Sequence, residues 1–164
     1  MLDQDTLVVR DIIRVFMFEH WARFYYTVEK DGKPFLEMPA DVLDDCRAKY
    51  PDLTPLLEEA SGKELSIEAC MQNVGAFVCR LLDGDKYPPG VVTKAMDSKP
   101  FRIELHLFGL WLQGHETYLD ERQLSFDDWL EMFTNWKLMD KVQEFIAKLE
   151  QSPADNVSRA KTTH

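Results

Sequence analysis

From Ser66 to Gly84 the apolar residues Ile67, Cys70, Met71, Val74, Phe77, Val78 and Leu81 recur with the spacing i, i+3, i+4, i+7. Only a helix of period 3.6 gathers all of them on one face. Ser66 supplies an N-cap and Asp83-Gly84 a stop, so the spacing predicts a helix over about 67–82. Runs of period two are scarce elsewhere, and proline and glycine punctuate other long amphipathic stretches. The pattern therefore predicts an all-α chain: one irregular or orthogonal bundle of five to seven helices, occupying 1–151.

The neighbouring segments follow the same logic. The first helix is expected from about Asp5 to Glu29, ended by Asp31-Gly32. Its polar residues drift, with Arg10, Asp11 and Arg14 on one side and His20, Arg23 and Thr27 nearly opposite. Such a helix either kinks or has different neighbours over its two halves. A rival reading turns Tyr25–Val28 through Asp31-Gly32 into Phe35 as a hairpin, because that dipeptide favours tight turns. Pro39 opens a second helix with Val42, Leu43, Cys46 and Tyr50 on one face. Thr54-Pro55 caps a third through Ala60, and Pro88-Pro89-Gly90 precedes a short one ending near Met96.

The longest stretch, near 99–121, reads as a central helix. Arg102, His106, Gly109, Gln113, Glu116 and Asp120 form a narrow polar or small stripe on an otherwise apolar cylinder, which predicts packing on several sides. Gly109 leaves a notch in that stripe, and a closely packed neighbouring helix is the favoured occupant, with a ligand as the alternative. Ser125-Phe126-Asp127-Asp128 resembles a capping box. After it, Phe126, Trp129, Phe133 and Trp136 share one face, while Leu138, Val142, Phe145 and Leu149 share another. A joint is expected near Thr134-Asn135. The composition of 152–164 predicts a disordered tail.

Composition bounds the function. Nineteen Lys+Arg against 29 Asp+Glu give a net charge of −10, a field that opposes nucleic acid as a partner. No apolar run reaches the ~18 residues of a membrane span, and the first residues lack the basic start of a signal peptide. Cys46, Cys70 and Cys79 are an odd count without metal-ligand spacing, and Cys70 and Cys79 fall half a turn apart on one helix. Free thiols in a reducing cytoplasm are expected, with Cys46 and Cys70 buried.

No phosphate loop, HExxH, CxxC, nucleophile elbow or Glu-x-x-His pair is present, and Asp83-Gly84-Asp85 lacks the spacing of a calcium loop. Neither a cofactor nor a bound metal is expected. Glu104 and His115 share a face but lie about 16.5 Å apart along a helix, too far to chelate one ion. Glu104 suits a helix start, and His115 a core edge with one hydrogen bond. Aromatic residues, 12% of the chain, cluster at Phe16–Tyr26, Phe101–Trp111 and Phe126–Trp136. They build either a core or a groove for an apolar peptide.

The reading that results is a non-enzymatic, acidic helical binding protein (an adaptor, a chaperone-like factor or a subunit of an assembly) that uses an aromatic-rich groove, with another protein as partner, a homodimer included. The alternative is a bundle that binds a small molecule, haem or metal through His20, His106 or His115. An enzyme with a dispersed site is the third. The candidate ligand-binding residues are His20, His106, Gly109, Gln113 and His115.

Overall fold

The computed structural model describes residues 3–151, so the expectation about the 152–164 tail lies outside them. The described chain is mostly helical, with eight helices and one two-stranded sheet. In order these are α1 (Gln4–Tyr26), β1 (Thr27–Lys30), β2 (Lys33–Leu36), α2 (Ala40–Lys49), α3 (Thr54–Ala60), α4 (Ile67–Leu82), α5 (Val91–Met96), α6 (Lys99–Glu121), α7 (Phe126–Lys137) and α8 (Asp140–Gln151). Two compact units result, one ending at Asp97 and the other beginning at Ser98.

In the first unit, α1 packs against α3, α4, α5 and the hairpin. Val8, Val9, Ile12, Ile13, the run Val15–Phe18, Trp21 and Ala22 are all buried. Four consecutive buried residues cannot lie on one face of a helix, so this helix is enclosed from several directions. The polar drift is thereby explained without a kink. Asp11 accepts from Tyr87 Oη at 2.5 Å and pairs with Lys86, and Arg14 pairs with Asp52 at 3.0 Å, so loops meet the first half. The second half meets the hairpin and α4.

Three expectations are corrected here. The chain is not purely α: helix α1 stops at Tyr26, and the rival hairpin forms, with Thr27 opposite Leu36 and Lys30 opposite Lys33. Asp31 and Gly32 both take positive φ (53° and 76°), the type I′ geometry that matches strand twist. Eight helices exceed the expected five to seven, because the short helix ending at Met96 and the joint in the last stretch both form; the joint falls at Leu138-Met139, a few residues beyond Thr134-Asn135. Thr54 is not a cap; Leu53 takes that place, and the buried Thr54 hydroxyl donates to Tyr50 C=O at 2.7 Å.

The second unit joins α6, α7 and α8. Ser98 and Ser125 cap α6 and α7 by accepting from Phe101 N–H and Asp128 N–H. Trp111 and Trp129 are wholly buried and meet edge-to-face at 5.4 Å, and Phe108 and Phe133 pack around them. Helix α6 has the expected bounds but not the expected surroundings. Its buried residues (Phe101, Ile103, Leu107, Phe108, Trp111, Leu119) fall within an arc of about 160°. The helix enclosed on several sides is α1, not α6.

Gly109 lies on the exposed side of α6, and a Cβ built there meets nothing within 4 Å. Among the described residues no helix packs into the notch. Gly109→Ala should therefore raise stability by up to about 1 kcal/mol, because alanine is the better helix former. Gly109→Leu should not lower it by overpacking. Thermal melts of both variants check this.

Candidate functional site

The hairpin register sets up a pocket in the first unit. The outer side of β2 is tied to residues 62–65: Gly62 N–H donates to Leu36 C=O, Leu36 N–H to Lys63 C=O, and Leu65 N–H to Pro34 C=O. Residue 66 follows at once, and its hydroxyl accepts from Ala69 N–H, so α4 must begin there. One turn into α4, Cys70 reaches α1. Between them lies a pocket of about 240 Å³. Phe24, Pro34, Leu65 and Ile67 form its apolar walls, and His20, Arg23 and Cys70 its polar part.

The polar part is a connected cluster. Glu19, 8% exposed, pairs with Arg23 Nε at 2.6 Å. Arg23 Nη2 lies 3.1 Å from His20 Nδ1. A guanidinium only donates, so Nδ1 is the acceptor and the ring proton sits on Nε2. Burial, and then the Arg23 charge, push the His20 pKa down to about 4. Burial raises the Glu19 pKa, which Arg23 partly counteracts. Burial also raises the Cys70 thiol, as does neighbouring Glu19, whose carboxylate accepts its hydrogen bond.

These shifts decide the chemistry. A cysteine nucleophile needs a thiolate, usually beside an imidazolium. Here the thiol is held protonated and the imidazole neutral. Among the described residues no group of three or more His, Cys, Asp or Glu is placed to hold a metal ion. Cys46 is also a buried free thiol, and Cys79 is a partly exposed one.

The residues singled out in the sequence do not form one site. His20 lines the pocket, whereas His106, Gly109, Gln113 and His115 all lie on α6. His106 is exposed and stacks on Phe145 with ring centres 5.9 Å apart. His115 donates from Nδ1 to Trp111 C=O at 2.8 Å, on the opposite side of α6 from His106. Gly109 and Gln113 are exposed on the His106 side. Glu104 pairs with Lys137 of α7, whose ammonium also lies over the Phe133 ring.

Sequence reading missed Arg23, Phe24, Pro34, Leu65 and Cys70 as pocket residues. The Glu19/Arg23 spacing of four and the His20/Arg23 spacing of three carried part of the signal. Pro34 and Leu65 needed the hairpin. No family model, curated protein or solved structure matches this chain.

His20 generates a pH dependence of defined sign. Its ring takes up a proton near pH 6.5 in the unfolded chain but only near pH 4 in the folded one. Stability from this group is full above pH 6.5 and is lost as pH falls toward 4, with about 2 kcal/mol gone by pH 5. Glu19 acts in the opposite sense, since its raised pKa lets the folded state bind a proton first. The two separate by comparison with His20→Gln, which keeps an acceptor for Arg23 but does not titrate. Urea unfolding at pH 7.5 and pH 5 should show that much less acid loss in the variant.

Proposed function

We propose that the chain is a non-enzymatic helical binding protein, an irregular helical bundle in kind, whose first unit takes one apolar side chain of a partner protein into the pocket beside α4. The observation that carries this reading is Ile67. It is 80% exposed at the pocket rim, and Met71, one turn further along α4, is 44% exposed. Both belong to the apolar stripe that continues into the core as Cys70, Val74, Phe77 and Val78. The stripe thus extends past the part that the chain itself covers.

Size and charge narrow the occupant. Pockets for drug-sized ligands and cofactors usually span roughly 300–1,000 Å³. At about 240 Å³ this one suits a single side chain better than a haem. Its ionised pair, Glu19 and Arg23, is mutually neutralised, and His20 is uncharged, so an apolar group entering there leaves no unpaired charge. Of the two readings of the aromatic clusters, Trp111, Phe126 and Trp129 follow the core one, and Phe24 is the Phe, Tyr or Trp side chain that lines the pocket. Three free thiols fit a reducing compartment, and among the described residues no helix is long and apolar enough to cross a membrane.

Selection of a random phage-displayed peptide library on the full chain tests the reading. Enriched peptides should share one apolar anchor residue, and Ile67→Glu should weaken them roughly tenfold or more without lowering the melting temperature. Enrichment without a shared anchor, or binding indifferent to Ile67→Glu and Met71→Glu, overturns it.

A further inference from the structure

We infer that the first two turns of α4, residues 67–73, are an acid-released flap: a proton taken up by His20 breaks the cluster that holds Cys70 to α1, and the flap lifts off the pocket. The inference goes beyond the partner reading. It concerns the free chain, so either can fail without the other.

The flap is docked at one point. Cys70 is the one buried residue between Ser66 and Asn73. Before the flap, residues 62–65 are tied to β2; after it, Val74, Phe77 and Val78 are core. A segment that buries so little of itself opens at low cost. Gly75 lies just past it. A Cβ there would meet nothing within 4 Å, so packing does not demand glycine, and its presence makes α4 easier to bend at that place.

The docking point is linked to His20. The Cys70 thiol donates to the Glu19 carboxylate, Glu19 pairs with Arg23 at 2.6 Å, and Arg23 donates to His20 Nδ1 across 3.1 Å. That last bond exists only while the imidazole is neutral. Protonation puts a hydrogen on Nδ1, and two cations that only donate then face each other. From α1 the charged groups in the cluster are Arg23 and Glu19, and Arg23 is the charge that acts on His20. From α4 the titratable group is Cys70. The hairpin contributes Thr27 and Pro34, and the segment before α4 contributes Leu65 and Ser66, none of which titrates or carries charge. Lys33, Lys63, Glu64 and Glu68 are exposed and do not line the pocket. Arg23 must therefore move from the imidazolium, and Glu19 and Cys70 lose their places with it.

Thiol labelling of the native full chain tests the flap, because Cys70 reports its own release. The probe is 4,4′-dithiodipyridine, which still reacts with thiols in acid. Each rate is divided by that of the urea-unfolded chain at the same pH, and mass spectrometry assigns the labelled cysteine. His20 takes up its proton near pH 6.5 when released and near pH 4 when docked. Opening should therefore grow roughly ten- to thirtyfold between pH 7.5 and pH 5. Cys46, buried but outside the cluster, should not follow. In His20→Gln the rise at Cys70 should be lost. Amide exchange of wild type, corrected for its intrinsic pH dependence, should show the same rise over 67–73 and not over 77–82. Its onset near pH 6.5 would mark a histidine, even if His20→Gln failed to fold.

A Cys70 rate that does not change between pH 7.5 and pH 5 overturns the flap, since an imidazolium that took Arg23's place on Glu19 would leave Cys70 docked. Cys46 and Cys70 rising together overturn it too, because the whole unit then opens. A rise that His20→Gln leaves intact, or one that begins only below pH 4.5, removes His20 as the trigger.

Discussion

Burying one helix on nearly every side is the constraint from which the first unit follows. Helix α1 carries eleven buried residues, and Glu19 is among them. A polar group taken out of water without a partner costs several kcal/mol, so each one on α1 must recruit something. Asp11 recruits Tyr87 and Lys86, which pins the loop after α4. Arg14 recruits Asp52, ahead of α3. Glu19 takes Arg23 from its own helix and Cys70 from α4. Polar satisfaction along one helix thus fixes where the loops and α4 are held, and the pocket is the space left between these fixed points.

The same constraint sets the character of the site. Enclosure makes charge expensive, so Glu19 and Arg23 are retained as a pair, His20 gives up its proton and Cys70 keeps one. What results is a polar cluster with little net charge and no activated nucleophile. Its imidazole is locked in one tautomer by Arg23, and the hydrogen bond orients the ring toward the pocket walls' side of α1. The second unit solves burial differently, with aromatic rings. Its one buried side-chain donor without a hydrogen-bond partner among the described residues is Trp111 Nε1, within an aromatic cluster.

Helix identity was legible because it is local. The caps Ser66 and Ser125, the stop at Asp83-Gly84 and the 99–121 bounds all depend on residues within a turn or two. Reading failed where a distant partner decides. The end of α1 could not be placed because Tyr25–Val28 suits helix and strand alike; what holds the hairpin is pairing with 33–36, itself tethered to 62–65. The surroundings of α6 were misjudged because apolar content was counted around the whole circumference. Leu105, Leu110 and Leu112 are only half-buried, which a helical wheel cannot reveal. Of the candidate site, His20 was found by residue type alone. Arg23 was not, since an arginine four residues after a glutamate usually marks a solvated face.

Ile67 is the place where local rules and residue choice part company. The tether between β2 and residues 62–65, together with the Ser66 cap, makes position 67 the first residue of α4 and points it outward. Proline or an acidic residue suits that position best, the first for its fixed φ and the second for the helix dipole. A β-branched apolar residue gains neither and loses rotamer freedom. At 80% exposure it also gains almost nothing from burial within its own chain. Helices α5 and α7 also begin on apolar residues, Val91 and Phe126, but these are half-buried and buried, whereas Ile67 lies open beside a pocket of side-chain size. Such departures are expected where function rather than folding selects the residue, and they give Ile67 more weight than any of the histidines.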